Sequence, residues 1–215
     1  SAASDVYKRQ ALDYLLEMAP DSPQASRWKS LREGIERNVR AHLWDVKRQK
    51  FIPHIYPEKS PIPEGFDELA IHYHGGTAIA IEAGLLSKDE IRTVNAQMLE
   101  NVRLSGMPSI GLTLYPVYPD GFFHGGMSKA YLYQNGGDWT WFGGRMIQQL
   151  VVNGMVEEAY AEIHPMIERV IQNDGFYEWY GKGGVPSGSG NFKGSAGVLS
   201  KAIELLRDWA EKNKS

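Results

Sequence analysis

"YQNGGDWTWFGGRM", Tyr133 to Met146, is the stretch on which the reading of the chain turns. Two tryptophans, an aspartate and four glycines share these fourteen positions. Trp139, Phe142, Met146 and Leu150 recur at helical spacing, so a helix begins here and runs to Asn153 and Gly154. Ahead of it, Gly136 and Gly137 let the backbone pass close to a neighbour or a ligand. The stretch therefore reads as a core helix at one depth and a pocket wall at another.

Six other segments carry apolar residues at helical spacing, and no run alternates convincingly with period two, which makes the fold class all-α. The first retains Leu12, Leu15, Leu16 and Ala19 and stops at Pro20. Asp21, Ser22 and Pro23 read as the capped start of the second, striped by Trp28, Leu31, Ile35, Val39 and Leu43. The third runs from about Gly75 to Gly84 and is apolar all round, as a buried helix is. Ser87 and Glu90 form a capping-box signature for the fourth, with Ile91, Val94, Met98 and Val102 on its face. The sixth carries Val156, Ala159, Ile163, Ile167 and Val170, with Pro165 expected to kink or split it. The seventh, from about Gly194, shows Leu199, Ala202, Ile203, Leu206 and Trp209.

Short turns join helices one and two, three and four, and five and six, which forces antiparallel hairpins. Long stretches lie between the hairpins: Asp45 to His74, Ser105 to Asn135 and Asp174 to Lys193. Each leaves an even-numbered helix and enters an odd-numbered one, so all three emerge on one face. Long connections of this kind are usually functional. No fixed-period repeat relates the hairpins in sequence.

Composition narrows the function. The chain has 215 residues, 42% of them apolar, enough for one domain with a real core. A net charge of -3 without clustered Lys or Arg gives no footprint for nucleic acid. No apolar run reaches the roughly 18 residues of a membrane span, and no membrane partner is expected. Cysteine is absent, which excludes disulfides and thiolate chemistry and leaves the compartment, cytoplasmic or periplasmic, open. The opening ten residues, "SAASDVYKRQ", read as a leader outside the native chain, with a single domain over 11–215.

The loops are rich in what binds sugars. Tyr115, Tyr118, Phe122, Phe123, Tyr131, Tyr133, Trp139 and Trp141 surround the second; Phe176, Tyr177, Trp179 and Tyr180 lie in the third. Flat rings cover the C–H faces of pyranoses while Asn, Asp, Glu and His answer hydroxyls; the plainer alternative is that these rings only pack the loops. Glu178, in "FYEWY", is the carboxylate best suited to acid–base work, since rings on both sides restrict a carboxyl group's solvation. Asp138 lies where a carboxylate also stabilises a helix start. His72 and His74, with Asp67 and Glu68, have weak metal spacing, and neither metal nor other cofactor is expected. "PSGSGNFKGSAG", Pro186 to Gly197, lacks the spacing of a phosphate-binding loop and reads as a flexible rim.

"YQNGGDWTWFGG" resembles the Y-x-N-G-G-x-W-P-W element of six-hairpin glycosidases, the (α/α)6-toroid enzymes that include neutral invertases, debranching-enzyme glucosidase domains and the processing α-glucosidase and trehalase groups. "FYEWY" and "FKGSAGVLSKAIELL" are similar to the last active-site loop and final inner helix of the same enzymes, so the resemblance covers about Tyr133 to Leu206. It implies a C-terminal part of such a toroid, about seven of its twelve helices. It implies an inverting glycoside hydrolase with two carboxyl groups about 6.5–9.5 Å apart. Glu178 matches the general base, and the acid would come from upstream, leaving this chain inactive alone. Tyr133, Asn135, Trp139 and Trp141 match the pocket wall; Trp179 and Tyr180 match neighbours of the base; His74 and Lys193 join them at helix entrances. Asp138 and Thr140 depart from the pattern, and Asp138 reads as a binder of a ligand hydroxyl. The partner implied is a carbohydrate. A phosphorylase using Lys193, Ser187 and Ser189, and a non-catalytic glycan-binding module, are the alternatives; the sequence leaves the oligomeric state open.

Overall fold

The computed structural model describes the backbone of residues 2–214 and the side chains of residues 7–214. Among the described residues there are seven helices: α1 (Ala2–Met18), α2 (Ala25–Leu43), α3 (His74–Glu82), α4 (Lys88–Ser105), α5 (Thr140–Val152), α6 (Val156–Gln172) and α7 (Lys193–Lys212). The odd-numbered helices pack side by side in the order α1, α3, α5, α7, with α2 against α1 and α6 against α5 and α7. α4 reaches the same core through Ile91, Val94 and Met98. This is an arc of a helical toroid, and the hairpins place all three long connections at one end of it.

Local chemistry sets most boundaries. Ser87 Oγ accepts from the Glu90 amide at 3.3 Å and Glu90 answers the Ser87 amide at 2.8 Å, so the capping box starts α4 as expected. Gly84, Gly106 and Gly154 take left-handed backbone after α3, α4 and α5. The expected cap of α2 is not formed: its first flanking residue is Gln24, and Ser22 Oγ instead accepts from the Gln24 amide at 3.2 Å in a preceding turn. Pro165 does not split α6. The carbonyl it deprives of a donor belongs to Ala161, which faces solvent and can meet water there.

Three antiparallel strand pairs, each two residues long, brace the long connections. β1 (Trp44–Asp45) pairs with β2 (Lys50–Phe51), β3 (His72–Tyr73) with β4 (Leu114–Tyr115), and β5 (Trp179–Tyr180) with β6 (Pro186–Ser187). Lys50 Nζ donates to the Ile71 carbonyl and ties the first pair to the second. Ser1, first residue of the expected leader, lies outside the described residues; further along the same stretch Arg9 is buried and donates to the Ala83 carbonyl and to Asp13 at 3.0 Å. The two flanks of the arc expose apolar groups, Tyr14 and Met18 on α1 and Ile203 and Trp209 on α7.

One buried carboxyl group sits between α4 and α6. Asn95 Nδ2 donates to Glu162 Oε1 at 2.6 Å, while Asn95 Oδ1 and Glu162 Oε2 have no donor. Burial, with the charge of Glu158 behind it, raises the Glu162 carboxyl to about 7. A raised folded-state value makes the associated stability fully present below 4.5, the ordinary value, and lost as pH rises through about 7. Glu162→Gln supplies a neutral donor group, so above that range the variant is expected to exceed wild type by up to about 3 kcal/mol. Urea titrations across pH check this: the gap should close in acid and level off in mild base.

Candidate functional site

The second and third connections meet at the start of α5. Asp138 and Tyr180 exchange backbone hydrogen bonds of 2.9 and 2.8 Å, and Thr113 N donates to the Gly137 carbonyl at 2.9 Å. Gly111 lies so close beneath Asp138 and Trp139 that a Cβ would overlap the Asp138 carboxylate and the Trp139 carbonyl. Beneath this junction Asp138 Oδ1 pairs with Arg169 of α6 at 2.8 Å and Oδ2 accepts from Ser109 Oγ at 2.7 Å. The same guanidinium donates to Thr140 Oγ1 at 2.7 Å and lies 4.0 Å from the centre of the Tyr180 ring.

Above the junction is an aromatic wall. Trp139 stands edge-on to Tyr133 at 4.9 Å and to Phe192 at 6.1 Å, and Tyr133 is edge-on to Trp179 at 6.3 Å. Trp139 Nε1 donates to the Tyr133 carbonyl at 3.1 Å. Glu178 reaches this wall: Tyr133 Oη donates to its Oε1 at 3.5 Å and the Ser189 amide to its Oε2 at 3.4 Å. Gly188, at φ 72°, passes directly over the carboxylate, where a Cβ would overlap it. The Phe192 amide donates to the Phe176 carbonyl at 2.8 Å, which folds the glycine-rich rim back onto the Glu178 segment.

The residues singled out in the sequence therefore divide. Glu178, Tyr133, Trp139 and Trp179 come together. Asp138, Asn135 and Tyr180 lie close by but are 0% exposed, with their polar groups turned inward. The expectation that Asp138 binds a ligand hydroxyl is corrected: both its oxygens serve Arg169 and Ser109. Asn135 is likewise internal, accepting from the Tyr118 amide at 2.9 Å and donating to the Tyr118 carbonyl at 3.1 Å. His74 is also buried, its Nε2 meeting Asn101 Nδ2 at 3.0 Å, and burial pushes it down to about 3, which keeps it neutral. Trp141 faces α7 rather than the wall, with Arg145 stacked on it at 4.5 Å. Lys193 is exposed at the start of α7.

A second polar cluster, on the first connection, carries no recognisable spacing in the sequence. Glu68 Oε1 accepts from Tyr118 Oη at 2.6 Å, His54 Nδ1 at 2.7 Å and Tyr56 Oη at 2.8 Å. Burial pushes the Glu68 carboxyl up, but these three donors together hold it below the ordinary glutamate value. Beside the cluster, α2, α3 and the first connection enclose an open hollow of about 940 Å³, bordered by Gln134 and Phe142 from the second connection and α5. Among the described residues no group of three His, Asp or Glu side chains is placed to hold a metal ion, and no helix is long and apolar enough to cross a membrane.

The arc matches solved structures. It superposes on a GH63 mannosylglycerate hydrolase from Thermus thermophilus, in complex with Tris and D-glycerate, with TM-score 0.63 and 14% identity over 96% of this chain. The same hydrolase in complex with glucose gives 0.64 and 16% over 96%, and an uncharacterized conserved protein of that organism 0.65 and 16% over 96%. The fold is the helical toroid of these structures, and the chain spans 44–46% of the length of these proteins. No protein-family model and no curated protein sequence matches the chain.

Removing one member of a buried ion pair strands the other, at about 3–5 kcal/mol. Arg169→Met is expected to cost that much in a urea titration. The double variant Asp138→Asn with Arg169→Met is expected to cost clearly less than the sum of the two single changes.

Proposed function

We propose that this chain contributes the base-bearing side of an inverting glycoside hydrolase site, with Glu178 activating water. The observation that supports this reading is the Glu178 carboxylate steadied by Tyr133 Oη and the Ser189 amide at the edge of the Tyr133, Trp139 and Trp179 rings. A carboxylate so held can orient a water and take its proton as the oxygen attacks the anomeric carbon. Phe192 and Trp179 would cover a pyranose face, and the wall excludes bulk water from the reacting carbon.

The second carboxyl group, which protonates the leaving oxygen, belongs on this reading to the part of the toroid that the solved structures have and this chain does not span. The structural neighbours, a hydrolase in complex with D-glycerate and with glucose, make a glycoside the first substrate class to assay. The 215-residue chain by itself is then expected to bind sugar and not to turn it over.

On a polypeptide that carries both halves of the toroid, Glu178→Gln is expected to lower kcat by about 10²- to 10⁴-fold while sugar affinity changes little. Unchanged turnover in that variant removes Glu178 from the chemistry; sugar binding without any wild-type turnover favours a glycan-binding module instead. Gly188→Ala forces a side chain against the carboxylate in a left-handed backbone region. It is expected to lower kcat and to cost about 1–3 kcal/mol of stability, and a urea titration run beside the kinetics separates displacement of Glu178 from unfolding.

A further inference from the structure

The hollow beside the Glu178 wall has its own polar equipment. Its volume of about 940 Å³ is at the upper end of small-molecule sites. Its rim carries Asn38, His42, His54, Tyr73 and Gln134, and among the described residues its lining includes no Lys, Arg, Asp or Glu. Gln134 follows Tyr133, whose hydroxyl reaches Glu178, and Phe142 packs 6.1 Å from Trp139, so hollow and wall adjoin along one stretch of chain.

His54 is the member of that rim whose hydrogen-bonding state is set from behind. Three donors converge on Glu68 Oε1, and an ionised carboxylate only accepts, so the neutral imidazole must carry its proton on Nδ1. Nε2 is then a bare acceptor. The His54 side chain is 43% exposed although Glu68 behind it is only 10% exposed, and His54 lines the hollow while its Nδ1 edge is anchored. Tyr118, which makes the shortest of the three bonds, is itself gripped at its backbone amide and carbonyl by Asn135, so the dyad is fastened to the stretch that builds the Glu178 site.

We propose that the hollow between α2, α3 and the first connection is a subsite for an uncharged glycosyl unit, and that His54, oriented by Glu68, contacts it by accepting a hydroxyl hydrogen bond at Nε2. The proposal rests on the glycosidase reading and deepens it by assigning a residue and a ligand class. The rim offers amide, hydroxyl and imidazole donors and acceptors, which suit hydroxyls. A carboxylate ligand would find no Lys or Arg in the lining to offset its desolvation. Apolar groups such as Ile79 and Phe142 supply surface for the sugar's C–H face.

The test is long-range ¹H–¹⁵N correlation spectroscopy of the 215-residue chain labelled with ¹⁵N at histidine and tryptophan at about pH 8, above the ordinary histidine range, with methyl glucoside and D-glycerate as probes. The expected result is His54 protonated on Nδ1, with an Nε2 resonance that shifts saturably with methyl glucoside and not with D-glycerate. His54→Ala is expected to weaken methyl glucoside binding by about fivefold or more, the loss of one hydrogen bond. Glu68→Gln, checked for an unchanged melting transition, is expected to redistribute the His54 tautomers and weaken binding as well. If that variant unfolds, the wild-type tautomer and titration decide alone. A proton on Nε2, or equal response to D-glycerate, overturns the proposal. Methyl glucoside that shifts the Trp139 and Trp179 indole signals and leaves His54 unmoved overturns it while the glycosidase reading stands. Silence from all three rings overturns it and withdraws sugar binding from that reading too.

Discussion

The buried pair of Asp138 and Arg169 is the contact on which the candidate site depends. Burying two charges is costly, and a pair of this kind persists only where geometry and additional hydrogen bonds compensate it. Here Ser109 and Thr140 each supply one such bond and the face of the Tyr180 ring receives the cation, while Arg169 Nε and Nη1 have no hydrogen-bond partner among the described residues. Arg169 comes from α6, Asp138 from the entrance of α5, Ser109 from the second connection and Tyr180 from the third. One ion pair thus joins four segments that are distant in sequence. Glu178 lies two residues before Tyr180, so its backbone is placed by that junction together with its own amide bond to the Ser189 carbonyl at 2.9 Å, and its carboxylate is then steadied by Tyr133 and the Ser189 amide.

Helical periodicity and end signals are legible because they are local. The Ser87–Glu90 box and the glycines after α3 and α5 act within a single turn, and each boundary lies where those residues put it. Two-residue strand pairs leave no alternation to detect, so β1 to β6 are invisible in the sequence. Ser22 shows the limit of a cap signal, since the same hydroxyl satisfies an amide in a turn equally well. Pro165 disrupts less than its residue type suggests, because the cost of a helical proline depends on whether the stranded carbonyl can reach water, which sequence does not state.

The candidate site is legible in its rings and its glutamate but not in the orientation of its polar groups. Glu178, Tyr133, Trp139 and Trp179 meet because the alternating short and long connections force them to one end of the arc. Asp138 and Asn135 lie in the same place but face inward. Their partners, Arg169 and Tyr118, are 31 and 17 residues away, and nothing in local spacing reveals which side of a backbone a carboxylate or amide will serve. His74 misleads for the same reason: Gly75, which follows it, belongs to a close helix contact, since a Cβ there would overlap the Phe142 ring.

The Glu68 cluster and the Glu178 wall are built on one logic. In each, a carboxylate is held by a tyrosine hydroxyl contributed by the second connection, Tyr118 in one case and Tyr133 in the other. Asn135 couples the two tyrosines: its side chain grips the backbone of Tyr118, it follows Tyr133 by two residues, and its own carbonyl accepts from the Tyr131 amide at 2.8 Å. A shift of this segment would therefore move both carboxylates' partners together. The second connection is the element that relates the two neighbourhoods, and its register is set by the short pairing of β3 with β4 at one end and by the Asp138–Arg169 pair at the other.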